Sequence, residues 1–268
     1  MLKSVGRLAL LGALVAAAAA GVIPGIRYLA RSYVFPVSEV HAAPSPDDFE
    51  QHRLVARDGV GVHAFELPAV DQARTMVYFH NNRETASSRA GLARALHARG
   101  FGVLLVEYRG YGDSRGAMPS EEGLYLDAEC ALDMLVRRGI GAERVVLWGT
   151  SLGTGVAAEM ARRGRGARLV LETPYTSIPE LVLDTAPFVP ARFLVPDHFD
   201  TIAKSSAIHV PTLVIHGDLD EIVPFWMGER VARAIAGARL VRIAGARHGD
   251  LYAKGADRLL AEVAALGS

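Results

Sequence analysis

In this chain of 268 residues, 29 Lys and Arg balance 29 Asp and Glu, so no overall field holds a polyanion and nucleic acid is not an expected partner. Half of the residues (50%) are apolar, enough for one sizeable core, and the single cysteine, Cys130, rules out an internal disulfide and any multi-cysteine metal site. Cys130 falls in the helical apolar pattern Cys130, Ala131, Met134, Leu135 and reads as packing.

The chain opens with Lys3 and Arg7 ahead of an uncharged run from Leu8 to Ile23, which as a helix spans roughly 24 Å, slightly short of a bilayer's apolar core. Residues 1–31 therefore read as a membrane-targeting segment. After Pro24 the apolar pattern resumes with Ile26, Tyr28 and Leu29, and Arg27 and Arg31 are placed to reach an interface, so an uncleaved anchor is the favoured form. The rival is a signal peptide cut after the alanine run, near Gly21, which releases a secreted or periplasmic enzyme. Basic residues flank both ends and only weakly favour a non-cytoplasmic domain. Residues 32–50 carry Pro, Ser and Asp without helical periodicity and are expected to be a linker, with the folded domain at 51–268.

From there the runs Arg53–Ala56 and Val62–Leu67 fit an antiparallel hairpin at a sheet edge. Apolar runs at Thr75–Phe79, Val103–Glu107, Val145–Trp148, Leu169–Glu172, Thr212–Ile215 and Leu240–Ile243 follow, separated mostly by helical patterns such as Ser88–Arg99, Glu121–Arg138 and Gly153–Arg163. Continuous apolar strands alternating with amphipathic helices predict an α/β fold, a mostly parallel sheet covered on both faces, with ligands beyond the carboxyl ends of the strands.

One such end carries GTSLG, Gly149 to Gly153, between a strand and a helical stretch. This is the setting of a nucleophile elbow: the turn forces strained angles on Ser151, and the flanking glycines avoid side-chain clashes. A serine nucleophile needs a base, and the base an orienting acid, in the chain order Ser, Asp or Glu, His. His248, in GARHGD just after the last predicted strand, is the only histidine downstream of His216 and is the candidate base. HGDLDEIVP offers Asp218, Asp220 and Glu221; Asp220 is preferred, because Asp218 follows Gly217 directly and is better placed to shape the turn. Glu172, at its own strand end, is a rival acid.

An oxyanion hole requires two backbone amides. Leu152, after the nucleophile, supplies one; Asn82 or Arg83, in the loop FHNNRETASS, supplies the other, with Asn82 preferred. In EYRGYGDSRG, Arg109, Tyr111 and Asp113 either structure a turn or border the site. The stretch between Glu172 and Lys204 is too short for a large lid domain; its Phe188, Val189, Phe193 and Leu194 either line an acyl pocket or pack in the core.

The segments YRGYGDSRGAMPSEEGLYLDAE, WGTSLGTGVA, LETPYTSIPEL, VPTLVIHGDLDEIVP and AGARHGDLY together resemble the small, often membrane-anchored α/β-hydrolase-domain (ABHD) serine hydrolases, relatives of the bud-emergence-type hydrolases and of serine-aminopeptidase-like domains. The resemblance covers nearly all of the chain after residue 50. It implies the α/β-hydrolase fold, a triad at Ser151, Asp220 and His248, and hydrolysis of an ester or thioester with a hydrophobic acyl part, without metal or organic cofactor. Peptidase activity and a non-catalytic scaffold are the alternatives. One departure stands out: such proteins usually carry His-Gly-Asn after the third strand, whereas here His80 precedes Asn81 and Asn82.

Overall fold

The computed structural model describes residues 21–41 and 43–267. Strands β1 (Glu50–Val55), β2 (Gly61–Leu67), β3 (Thr75–Phe79), β4 (Gly102–Glu107), β5 (Val145–Thr150), β6 (Arg168–Glu172), β7 (Thr212–Gly217) and β8 (Arg239–Ile243) form one sheet in the order β1-β2-β4-β3-β5-β6-β7-β8. The β1–β2 hairpin lies at the edge, β2 runs antiparallel to β4, and the other pairs are parallel. This is the mostly parallel sheet with an antiparallel hairpin at one edge that the strand pattern anticipates, and it has the α/β-hydrolase form that the motif resemblance implies.

The run-like composition of the central strands follows from their burial on both faces. Along β5, Val145 and Leu147 enter one core while Val146 and Trp148 enter the other, and β3 divides Val77 and Phe79 from Met76 and Tyr78 in the same way. Helices α1 (Ala90–His97) and α8 (Leu251–Gly267) cover one face. The other is covered by α2 (Glu121–Arg137), α3 (Leu152–Arg162), the short α4 (Ile178–Thr185), α5 (Ala191–Leu194) and α6 (Thr201–Ser205), and α7 (Phe225–Ala234). Side-chain caps start several of them: Ser120 Oγ accepts from Gly123 N, Ser177 Oγ from Glu180 N, and Asp200 Oδ1 from Ala203 N.

Strand register sets the site. Phe79 pairs with Gly149 and Thr150 with Glu172, so the loops leaving β3, β5 and β6 emerge side by side at one edge of the sheet.

One expectation about the N-terminal part needs correction. Residues 32–50, expected as a linker, are held against the domain. Val34 and Phe35 are buried, the Phe35 ring meets Phe199 edge-on at 6.2 Å, Ala43 O accepts from Ser87 Oγ, and Asp48 pairs with Arg94. The segment lacks periodicity because it follows an irregular groove, not because it is loose. Arg27 and Arg31 both contact the domain: Arg27 donates to Phe193 O (3.0 Å) and Arg31 pairs with Asp197 (2.7 Å). Residues 21–34 are helical. Among the described residues no helix is long and apolar enough to cross a membrane, and most of the run Leu8–Ile23 lies outside them.

Candidate active site

Ser151 stands at the β5–α3 turn with φ 50° and ψ −116°, a strained conformation for a residue with a side chain. The glycines beside it are required by close approach. A Cβ on Gly149 would lie 2.2 Å from Gly153 O, and one on Gly153 only 2.0 Å from Phe79 O. Backbone packing of β3 against the start of α3 therefore fixes the turn, and Ser151 N donates to Glu172 O (2.9 Å) to tie it to β6.

The three residues expected as a triad meet there. His248 Nε2 is 3.1 Å from Ser151 Oγ, and His248 Nδ1 is 2.8 Å from Asp220 Oδ2. The second Asp220 oxygen accepts the amides of Ile222 (2.9 Å) and Val223 (2.8 Å). That pairing leaves Oδ2 for His248 and favours the tautomer with hydrogen on Nδ1, so that Nε2 faces the serine as an acceptor. Burial opposes ionisation of Asp220, but hydrogen bonds from His216 and His248, the attraction of His248 and the Val223 amide hold its pKa well below the usual carboxylate range.

His216, which chain order excludes as the base, takes part in another way. Fully buried, it places Nε2 2.9 Å from Val223 O and 3.3 Å from Asp220 Oδ2, so the acid is held between two imidazoles. Its Nδ1 has no hydrogen-bond partner among the described residues, while Nε2 faces two acceptors and so carries the hydrogen. The only signal in sequence was its place at the end of β7, four residues before Asp220.

The rival acids do other things. Asp218 accepts Gly245 N (2.6 Å) and pairs with Arg242, while Glu221 Oε2 accepts His248 N at 3.4 Å. Glu172 turns away from His248 to accept from Trp148 Nε1 (3.2 Å) and Tyr252 Oη (3.0 Å), and burial pushes its pKa up despite the nearby Arg89.

The His80-Asn81-Asn82 loop is pinned from below. His80 Nε2 lies 3.2 Å from Glu107 Oε1, and Glu107 also takes the amide of Ala86. Asn81 N donates to Glu84 and Arg83 N to Asn81 Oδ1, whereas among the described residues no acceptor takes the amide of Asn82. Asn82 itself is clamped: its side chain donates to Val34 O (2.8 Å) and its carbonyl accepts from Tyr111 Oη (3.2 Å). Tyr111 thus supports the loop, while Arg109 is buried against Asp127 and Asp58, a structural role. Leu152 N is the first amide of α3, one of the groups a helix start leaves without an internal partner.

Above these residues lies a cavity of about 550 Å³ that includes Ser151, Leu152, Asn82 and His248 in its lining. One part of the wall is apolar, built by Ile178, Leu181 and Val182 of α4 with Ile222, Val223 and Val34; another is polar, built by Glu84, Arg89, Glu172 and Tyr252. Arg89 Nε donates to Glu84 (2.7 Å) and its guanidinium lies over the rings of Tyr78 and Tyr252. Phe188, Val189, Phe193 and Leu194, which the sequence left open between an acyl pocket and core packing, are absent from this wall. Phe188 and Phe193 point into solvent, because the turn after α4 and the short α5 lie outside the apolar face that α4 presents.

Comparison with known proteins agrees with this fold. The family model described as serine aminopeptidase, S33, matches residues 71–195. Protein bem46 of Schizosaccharomyces pombe is 31% identical over 206 residues, covering 71% of this chain and 68% of its own. Lysophosphatidylserine lipase ABHD12 of Danio rerio is 34% identical over 58% of this chain and 46% of its own. A Mycobacterium tuberculosis protein is 41% identical over 64% of this chain, and the match spans 61% of that relative's length. Among solved structures, an esterase of Pyrococcus furiosus superposes with a TM-score of 0.67 at 15% identity, covering 85% of this chain and 94% of its own. An esterase of Exiguobacterium antarcticum gives 0.66 at 18% identity, covering 81% and 99%.

Proposed function

This chain belongs to the α/β-hydrolase family that includes bem46, and from that premise we propose that it is a serine hydrolase of carboxylic esters or thioesters with a hydrophobic acyl part. The observation that carries the reading is the continuous hydrogen-bonded line Ser151–His248–Asp220 opening on a cavity with an apolar wall. Ser151 Oγ attacks the carbonyl carbon as His248 Nε2 takes its proton, and Asp220 holds the imidazolium. The amides of Leu152 and Asn82 receive the oxyanion. His248 returns the proton to the departing alcohol or thiol, leaving an acyl group on Ser151. Water, deprotonated by the same imidazole, then releases the acid. These steps call on no metal or organic cofactor.

The apolar α4 wall favours an acyl chain over a peptide. The peptidase alternative draws its support from the description of the matching family model alone. The membrane reading belongs to the same proposal: residues 1–31 contain a single-pass anchor, the domain lies on the non-cytoplasmic side, and cleavage near Gly21 is the rival. N-terminal sequencing of protein extracted from membranes decides between them, since a first residue near Gly21 overturns the anchor.

A fluorophosphonate probe tests the nucleophile. The folded protein is expected to label and Ser151→Ala to remain unlabelled. Labelling that survives the substitution overturns the assignment, and failure of the unaltered protein to label favours a non-catalytic scaffold.

A further inference from the structure

The helical residues 21–34 present two unlike faces. Arg27, Ala30, Arg31 and Val34 turn onto the domain, through Phe193 O, the core, Asp197 and the cavity wall. Val22, Ile26, Leu29 and Tyr33, spaced i, i+4, i+7 and i+11, form an exposed stripe on the other side. Beside it, the turn after α4 and the start of α5 expose two more large apolar side chains, Phe188 at 98% and Phe193 at 74%, and Phe193 is joined to the helix through its carbonyl. Tyr33 belongs to both features: it is 76% exposed, and it lines the cavity that holds Ser151. The stripe therefore runs to the cavity mouth, about 17 Å along the helix from Val22.

We propose that this surface docks on a phospholipid bilayer, with Val22, Ile26, Leu29, Phe188 and Phe193 in the outer acyl region and the cavity mouth at the headgroup boundary. Contiguous exposed apolar side chains mark an interaction site, and the chain itself indicates the occupant. Residues 8–20, which precede the stripe in the chain, carry no charged or hydrogen-bonding side chain. A segment of that composition partitions into lipid and holds the stripe against the same surface, whereas a second copy of the chain leaves it unsatisfied. A hydrophobic substrate then reaches Ser151 sideways, its acyl chain leaving the bilayer past Tyr33 for the apolar α4 wall without crossing water. The route for substrate rests on the hydrolase reading; the docking rests on the uncleaved N-terminal segment and not on the chemistry of the cavity.

The test uses the full chain in phosphatidylcholine vesicles and has two independent readouts. In Phe188→Trp, fluorescence is expected to be quenched by lipids brominated on their acyl chains beyond the quenching of the parent protein. In the double variant Phe188→Glu with Phe193→Glu, hydrolysis of a long-chain fluorogenic ester embedded in the vesicle is expected to fall about tenfold or more, from the lost burial of two phenylalanines. Hydrolysis of a water-soluble acetate ester stays within about twofold of the parent, because neither residue lines the cavity. Absence of extra quenching overturns the docking, above all if sedimentation of the detergent-solubilised protein shows a dimer that the double variant abolishes. Equal loss on both esters, or loss on neither, overturns the lateral route. If the parent cleaves neither ester, the hydrolase reading fails and the quenching alone still decides the docking.

Discussion

Glu172 is the last residue of β6 and Asp220 lies three residues past the end of the neighbouring β7, and their surroundings drive their ionisation in opposite directions. Asp220 receives two backbone amides on one oxygen and imidazoles on the other, all of which favour the charge. Glu172 receives a phenol and an indole N–H, and these do not repay the loss of water around it. The difference explains why proximity to the strand ends does not identify the acid. An orienting carboxylate has to stay ionised while burying itself beneath a histidine, and a tight turn that aims consecutive amides at it does this better than side-chain donors.

Breaking the Asp220 side should have the largest effect. Asp220→Asn is expected to lower kcat/KM on a soluble ester by about 10³ to 10⁴ with circular dichroism unchanged, since an amide no longer fixes the His248 tautomer. The two carboxylates also predict opposite pH signatures in stability. The folded-state pKa of Asp220 lies below its unfolded value, so its contribution is present above about pH 4 and fades as the pH falls below that. Urea unfolding should therefore find Asp220→Asn less stable than the parent at pH 7, on the order of 2 kcal/mol, and nearly level with it at pH 3.

Glu172 runs the other way. Its folded-state pKa is raised, so it costs nothing below about pH 4, and its penalty grows as the pH rises above that. Glu172→Gln keeps both hydrogen-bond acceptor contacts and removes the buried charge. It should equal the parent at pH 3, exceed it at pH 7 by about 1 kcal/mol, and keep ester hydrolysis within about threefold. A loss matching that of Asp220→Asn would instead make Glu172 the acid. The smallest effect is expected for Tyr252→Phe, which removes one donor to Glu172: about 1 kcal/mol in urea unfolding at pH 5, with little change in kcat.

Parts of this site were readable in one dimension. Gly149, Ser151 and Gly153 follow an apolar run and precede a helical one, and any such strand-turn-helix must pass the serine through positive φ. His248 followed from chain order and strand position. Other parts were not. His216 looks in sequence like one more polar residue ending a strand, and only the turn back through Val223 brings it under Asp220. Residues 32–50 have a linker's composition, yet Val34, Phe35 and Phe49 find cover on a surface made by distant segments. Phe188 and Phe193, large and apolar, suit either an acyl pocket or the core in sequence; the fold gives them to neither, because α4 walls the cavity and the turn after it and α5 leave the two rings outside.

By itself the sequence determined the layered α/β sheet and the strand-turn-helix elbow at Ser151, because hydrophobic period and glycine placement act through neighbours in the chain, and chain order pointed to His248 as the candidate base. The tertiary structure decided which carboxylate stays charged, which amide in the Asn81–Asn82 loop is left open, and which apolar side chains face the cavity rather than the surroundings. Each of those depends on desolvation and on donors brought from remote strands and loops, and these exist only once the sheet has assembled.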